Sequence, residues 1–325
     1  MNARILTTTA LAALFCVQLP AAAADPQILT LVMPDAKVVA GVNVQQALAT
    51  PFGQYVLSLI APQNQQIQAL ATLIGFDPRQ DVRELLVATD LPPAAAGATI
   101  TAAPKGLAFA RGTFDPAKIA AAAALAGAKS EAYGGLTILE DAAHTGAIAF
   151  VDATLAVSGD VTGVKAAIDR LSAPTALPAS LLAQINQWSG TQDAWVVDSA
   201  PLAFLTPPSG APKLPGLAQG AALQSIQQAV AGVKFGATVV VTAQAQADTA
   251  QDASALAGLL QLAVNLAQAQ SNQNPQGGLL LKSLTATAQG NTVNVSLSVP
   301  QDQIQQLIKP GTNLLRQGRP AAKKM

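Results

Sequence analysis

The stretch "ARGTFDPAKIAAAAALAG", residues 110–127, joins the end of a strand to an alanine-rich helix. Asp115 stands where a carboxylate accepts hydrogen bonds from the free amides of the first helical turn, and Pro116 fills the first helical position. A negative side chain at this cap repels phosphate, so the junction indicates a helix cap and not an anion site. Similar junctions recur at Asp160 and Asp248. The stretch therefore predicts a fold that repeats the same strand-to-helix joint.

The order of the predicted elements also repeats along the chain. Each round runs strand, helix, long strand, helix, strands and short helix, and "LAVSGDVTGVKAAIDRL" in the first round aligns with "LSVPQDQIQQLI" in the second. This order predicts an α+β fold of two tandem strand-helix-strand units, with antiparallel or mixed sheets covered by helices on one face. The predicted divisions are a first unit at 25–172, a linker at 173–180, a second unit at 181–310 and a flexible basic tail at 311–325.

Sequence patterns in the predicted second unit indicate one hairpin and two helices. Residues 279–299, "LLLKSLTATAQGNTVNVSLSV", alternate apolar and polar side chains around Gly290-Asn291, which predicts a hairpin. Residues 255–270 place apolar side chains at helical spacing, with no Lys or Arg on the polar face. That pattern predicts a core helix and not a membrane-surface helix. A further helix is predicted over about residues 217–231.

The first 24 residues have the anatomy of a secretory signal peptide. Arg4 precedes an apolar run at 5–17, and small residues follow at 21–24. Cleavage is expected after Ala24, which predicts an exported protein, periplasmic or secreted. The apolar run is shorter than the about 20 residues that span a bilayer, so no integral membrane span is predicted after cleavage. The leader contains Cys16, the one cysteine of the chain, so the mature protein is predicted to have neither a disulfide nor thiolate chemistry.

The composition argues against a nucleic-acid partner. Charged residues are 11% of the chain, with 18 basic and 18 acidic side chains, and glutamines take over much of the expected solvent face. Such a surface has little long-range field and no basic footprint. The exception is a basic cluster in the tail, predicted to be solvated and frayed, with weak contact to an anionic surface as the alternative. Its members are Arg316, Arg319, Lys323 and Lys324.

Residue types that carry catalysis or bind metals are scarce. His144 is the one histidine and stands in a turn-like stretch without a nucleophile elbow, which predicts an exposed loop residue. One histidine and no mature cysteine disfavour zinc and copper sites, and calcium-loop and phosphate-loop motifs are missing. Glu140 and Asp141 are adjacent, so they are predicted to point to opposite faces as solvent charges. We therefore predict no catalytic, cofactor-binding or metal-binding residue and no cofactor.

Two tryptophans flank the segment "SGTQDA" near the predicted linker. Trp188 and Trp195 each offer a large apolar area and one N–H group. They are predicted to pack at the interface between the two units, with a ligand platform as the alternative.

Three stretches, "LVMPDAKVVAGVNVQQAL", "GFDPRQDVRELLVATD" and "RGTFDPAKI", resemble the exported bacterial proteins of the DUF3352 family. The resemblance covers residues 30–171 and extends to the second half by pattern. It implies a Pro-Asp opening before the first strand and a Gly-x-Phe-Asp junction before a helix, and it implies no catalytic residue. The residues at those places are Pro34, Asp35, Gly112, Phe114 and Asp115.

These observations predict an exported, non-enzymatic binding or structural protein of the bacterial cell envelope, with an unknown protein or small ligand as its partner. One alternative is a carrier that holds an apolar ligand or lipid between sheet and helices. The other is a hydrolase that uses carboxylates brought together by the fold. An enclosed apolar cavity would favour the carrier, and two convergent carboxylates with raised pKa values would favour the hydrolase.

Overall fold

The computed structural model describes residues 23–60, 76–90, 106–199, 225–269 and 283–308. Most of the predicted leader, the predicted basic tail and the first part of the helix predicted at 217–231 lie outside these ranges. Within them, twelve strands form a single sheet in which all neighbouring strands are antiparallel. In the described ranges, no helix is both long enough and apolar enough to cross a membrane.

The bounds of the elements follow chain order. The strands are β1 (Val38–Asn43), β2 (Val82–Thr89), β3 (Gly106–Gly112), β4 (Lys129–Tyr133), β5 (Leu136–Glu140), β6 (Ala147–Asp152), β7 (Leu155–Gly159), β8 (Ala194–Asp198), β9 (Ile226–Lys234), β10 (Thr238–Ala247), β11 (Leu284–Gln289) and β12 (Thr292–Pro300). The described helices are α1 (Pro26–Leu31), α2 (Val44–Leu48), α3 (Pro51–Ile60), α4 (Pro78–Asp81), α5 (Pro116–Leu125), α6 (Val161–Ser172), α7 (Ala179–Ser189), α8 (Ala250–Ala269) and α9 (Gln301–Ile308). Across the sheet the strands stand in the order β11-β12-β10-β9-β8-β1-β2-β3-β7-β6-β5-β4.

The centre of the sheet corrects the prediction of two tandem units. Strands β1 and β8 pair there, from Val38 opposite Asp198 to Val42 opposite Ala194. This pairing joins the two regions that were predicted to carry separate sheets, so the prediction of two tandem strand-helix-strand units is wrong, and the fold is a sheet-rich α+β fold. The physical reason is that a strand at the edge of a sheet exposes unpaired N–H and C=O groups, and pairing β1 with β8 satisfies two such edges at once.

Helices cover opposite faces at the two ends of the sheet. We call the face that carries Leu86 and Phe109 the inner face, and the opposite face the outer face. Buried side chains of α1, α6 and α7 pack with the inner face in the larger core cluster. Helix α8 packs in a second cluster with Ala245 and Val293, which lie on the outer face by the strand register. The prediction that helices cover one face is therefore wrong.

The strand pattern explains this change of face. In β10 and β12 the inner-face positions hold polar residues such as Thr242 and Asn294, while Ala245 and Val295 occupy the outer face. The apolar side chains of these strands therefore require a helix on the outer face. The segment predicted as helix at 217–231 is also corrected, because its described part from Ile226 onward belongs to strand β9.

Both tryptophans lie buried on the inner face, close to the central pairing. The aromatic rings approach glycines: a Cβ built on Gly41 would lie 2.6 Å from Trp195 Cζ2, and one on Gly232 would lie 3.0 Å from Trp188 Cε3. Gly41 and Trp195 are directly paired across β1 and β8. The two indoles thus pack where the halves of the single sheet meet.

Gly41→Ala is expected to lower the free energy of unfolding by about 1–2 kcal/mol, because the added methyl group would overlap an indole held in a packed core. The matched control is Gly258→Ala on the exposed side of α8, where a Cβ meets nothing within 4 Å. That change is expected to raise the free energy of unfolding by about 0.5–1 kcal/mol through better helix propensity. Urea unfolding followed by circular dichroism measures both, and equal effects would contradict the packing of Trp195 on Gly41.

Candidate interaction surface

Apolar side chains cross the centre of the outer face in two neighbouring rows. Directly opposed residues of antiparallel strands point to the same face, so the register of β8, β1, β2 and β3 defines each row. We call these eight residues the open patch. Its rows are Val196, Ala40, Val87 and Ala108, and then Ala194, Val42, Leu85 and Ala110.

Among the described residues, the open patch is most exposed at its middle. Val87 is 48% exposed and Leu85 is 40% exposed, and Ala108 on the neighbouring strand β3 is exposed as well. The other five members are half-buried. On the inner face of the same strand, Leu86 is 1% exposed and Ala88 is fully buried. Strand β2 therefore carries apolar side chains on both faces but buries one set more completely than the other.

A contiguous apolar patch differs from scattered exposed hydrophobic residues, which are normal on any protein surface. In the open patch the two exposed large side chains are neighbours on one face of one strand, and each is flanked by apolar residues on both adjoining strands. None of the eight residues carries a charge. Such a surface binds by excluding water and offers little directional hydrogen bonding from its side chains.

The open patch was not predicted from the sequence, although the sequence contains a signal for it. The run Leu85-Leu86-Val87-Ala88 is continuously apolar, whereas a strand with one face in water alternates apolar and polar residues. A continuous run indicates apolar surface on both faces of a strand. Whether both faces are covered depends on helices that lie far away in the sequence.

The strand-to-helix junction of residues 110–127 borders a hollow of about 150 Å³. Its lining is Phe76, Asp81, Thr113, Phe114, Asp115, Lys118 and Ile119. Asp115 Oδ1 accepts the N–H of Lys118 at 3.1 Å, as predicted for a helix cap, and this backbone hydrogen bond is the main cause that lowers the pKa of Asp115. The hollow is smaller than the roughly 300–1,000 Å³ of a ligand pocket. The junction is therefore a cap beside a shallow depression.

The two related junctions differ from each other. Asp160 caps α6 by accepting the N–H of Gly163 at 2.8 Å, which confirms the prediction. Helix α8 instead begins at Ala250, and Thr249 Oγ1 accepts the N–H of Asp252 at 3.1 Å. Thr249 therefore caps α8, and not Asp248 as expected.

Glu140 and His144 form a hydrogen-bonded couple at the end of β5. His144 Nδ1 lies 2.7 Å from Glu140 Oε2, and Lys129 Nζ lies 3.1 Å from His144 Nε2. The hydrogen bond from His144 is the main cause that lowers the pKa of Glu140. Glu140 is buried, so the prediction that it is a solvent charge is wrong. Asp141 is exposed, as predicted, and accepts the N–H of Thr145.

Among the described residues, no side chain gives this couple the nucleophile that a catalytic histidine would activate. A histidine held by a carboxylate activates a nucleophile when its second ring nitrogen faces a hydroxyl or thiol group. His144 Nε2 faces the Lys129 amine, and across the part of the chain that the structure describes no serine, threonine or cysteine side chain hydrogen-bonds to it. The same ranges contain no group of three His, Cys, Asp or Glu side chains that could hold a metal ion.

Comparison with known proteins finds similarity at the level of the fold. No family model matches the chain, and no curated protein matches it. Solved structures of TP0453 are similar: crystal form IV has a TM-score of 0.52 at 12% identity, covering 87% of this chain and 96% of that one. Crystal form III gives 0.52 at 11% identity, covering 86% and 96%, and crystal form I gives 0.50 at 11%, covering 88% and 97%. The resemblance to DUF3352 stays a prediction, and the chain has a sheet-rich α+β fold similar to that of TP0453.

Proposed function

We propose that this chain is an exported, non-enzymatic protein of the bacterial cell envelope that binds a partner protein through the open patch. The observation that carries the proposal is the exposure of Val87 and Leu85 at the centre of a twelve-stranded sheet. A fully buried Val or Leu side chain contributes about 1.5–3 kcal/mol relative to an exposed one, and part of that stabilisation is still available at the patch. A partner that covers the patch gains this remaining stabilisation.

The shape of the patch favours a protein surface over an acyl chain. A carrier of lipid needs an enclosed apolar cavity that covers most of its ligand. In the described ranges the open patch is one face of a sheet, and the hollow beside Asp115 holds only about 150 Å³. A broad apolar face suits another protein surface that presents its own apolar residues. The leader anatomy, with cleavage expected after Ala24, supports the envelope as the place where the two proteins meet.

Val87→Glu is expected to abolish binding of the partner, because a carboxylate in the middle of the patch must lose its water when the surfaces meet. The matched control is Leu125→Glu, which places the same charge on α5 at a side chain that is 84% exposed and outside the patch. Both variants are expected to keep the thermal stability of the original chain within a few degrees.

The measurement uses a photo-crosslinking residue at Ala108 in all three proteins, applied to the envelope fraction of the source organism. We expect one crosslinked band in the original chain and in Leu125→Glu, and its loss in Val87→Glu. An unchanged band in Val87→Glu would contradict the proposal. A phospholipid that co-purifies stoichiometrically in native mass spectrometry, without a crosslinked protein, would support the carrier instead.

A further inference from the structure

A half-buried carboxylate lies against the start of the folded chain. Glu84 of β2 accepts the backbone N–H of Asp25, with 3.3 Å between the nitrogen and Oε1. Burial is the largest cause that raises the pKa of Glu84, and the charge of Asp25 acts in the same direction. The ionised form of Glu84 is therefore disfavoured where it stands.

The nearby cation is already engaged with other groups. Arg111 Nε donates to Asp25 Oδ2 at 2.8 Å, and its two terminal nitrogens donate to Thr154 Oγ1 and Gln27 Oε1, each at 2.9 Å. One guanidinium thus faces the carboxylates of both Asp25 and Glu84 but hydrogen-bonds to the first. Asp25, Glu84 and Arg111 together carry one more negative charge than positive charge when both carboxylates are ionised.

We propose that the α-ammonium of Asp25, released when the Ala24–Asp25 bond is cleaved, forms an ion pair with Glu84 in the mature protein. Hydrolysis by the signal peptidase of the exporting cell consumes one water and leaves a carboxylate on Ala24 and an ammonium on Asp25. The new charge falls on a nitrogen already within hydrogen-bond distance of Glu84. The inference rests on the export that is part of the proposed function.

The surroundings of the two neighbouring nitrogens favour this cleavage position over one residue earlier. Ala24 is 3% exposed, and its N–H donates to the neutral Ser189 Oγ at 2.9 Å. An ammonium there would be buried against a hydroxyl group, which costs more free energy than one that faces a carboxylate. Cleavage after Ala24 removes a buried methyl group and one hydrogen bond, and it supplies the cation that Glu84 lacks. Because Ala24 is buried in the folded chain, this cleavage must precede folding.

The intact mass of the protein secreted with its own leader tests the cleavage position. We expect a mature chain that begins at Asp25. A chain that begins at Ala24 or earlier after leader removal would overturn the inference and leave the proposed binding surface untouched. An uncleaved chain would contradict export, and with it the compartment of the proposed function.

Changes in Tm of opposite sign, caused by one substitution in two chains, test the ion pair. Two chains released from a cleavable fusion, one beginning at Asp25 and one at Ala23, each receive Glu84→Gln, which keeps an acceptor for the Asp25 nitrogen. We expect the substitution to lower the Tm of the Asp25 chain by about 2–4 °C. It should raise the Tm of the Ala23 chain, where Glu84 is a half-buried charge without its own cation. Shifts of the same sign and size in both chains would overturn the proposal.

The pKa of the α-amine gives a readout that a purely structural role would not move. In the Asp25 chain, amine labelling as a function of pH should report an α-amine pKa above the ordinary value of about 7.7–8.0, because the Glu84 carboxylate favours the charged form. Glu84→Gln should return it to the ordinary range. An ordinary α-amine pKa in the unsubstituted Asp25 chain would overturn the ion pair.

Discussion

Replacing Leu86 with alanine is expected to lower the free energy of unfolding by about 3 kcal/mol, because the side chain is 1% exposed and its removal leaves a cavity in the inner-face core. Leu86 stands between Gly41 and Phe109 in the strand register, with helices packed over this face. Equilibrium urea unfolding of the full chain measures the change. If the slope of the free energy of unfolding against urea concentration is the same in both proteins, the substitution has not changed the compactness of the native or the unfolded state.

The adjacent residue supplies a matched control of the same type on the opposite face. Leu85 is 40% exposed in the open patch, so Leu85→Ala is expected to lower the free energy of unfolding by less than about 1 kcal/mol. Equal losses at the two positions would show that the outer face is covered in the folded protein. That result would contradict the free surface on which the proposed function depends.

Removing the Arg111 side chain as Arg111→Met is expected to lower the free energy of unfolding by about 2–4 kcal/mol at neutral pH. The guanidinium is mostly buried, lies 2.7 Å from Asp25 Oδ2 and bonds to Thr154 as well. Its loss leaves the Asp25 carboxylate without the guanidinium that pairs with it, beside the carboxylate of Glu84. Urea unfolding at neutral pH measures the loss.

The pH dependence of that loss has a defined sign. Burial by itself raises the pKa of Asp25, but Arg111 and the amides of Gln27 and Ile28 together lower it below its ordinary value. A lowered pKa means that this stabilisation is present above the unfolded pKa and is lost as the pH falls through the folded one. In Arg111→Met the two carboxylates take up protons more readily. The difference in free energy of unfolding between the original chain and the variant should therefore narrow as the pH falls through about 4, the ordinary range of an aspartate, and below it.

An exposed ion pair serves as the control for Arg111. Arg79 lies 2.6 Å from Asp77 at the start of α4, with its side chain 40% exposed. Arg79→Met is expected to change stability little, because solvent screens such pairs and holding them ordered costs entropy. A large loss at Arg79, or none at Arg111, would contradict burial as the cause of the difference between the two pairs.

Residues close together in the sequence were enough to predict two helix caps and one hairpin of the fold. The caps at Asp115 and Asp160 and the hairpin around Gly290 are confirmed, since each depends on residues only a few positions apart. The core helix near 255–270 is confirmed by buried side chains such as Leu256 of α8. These features arise from hydrogen bonds and spacing within one short segment.

Errors arose where a segment is defined by distant neighbours. The run from Ile226, "IQQAVAGVK", has an apolar spacing compatible with either a helix or a strand. It is a strand because β8 and β10 flank it on both sides. The burial of Glu140 was missed although its partner His144 is close in the sequence, because neither residue type indicates the hydrogen bond that joins them across the loop.

The sequence by itself determined the helix caps at Asp115 and Asp160, the hairpin, the α+β class and the scarcity of residues for catalysis. The tertiary structure alone decided that β1 and β8 join one sheet, that helices change face, that Val87 is about half exposed and that Asp25 meets Glu84. The physical reason is that the backbone N–H and C=O groups that pair distant strands are the same in almost every residue. Side-chain patterns therefore predict which segments form strands, and the packing of the whole chain selects their partners and the face that each helix covers.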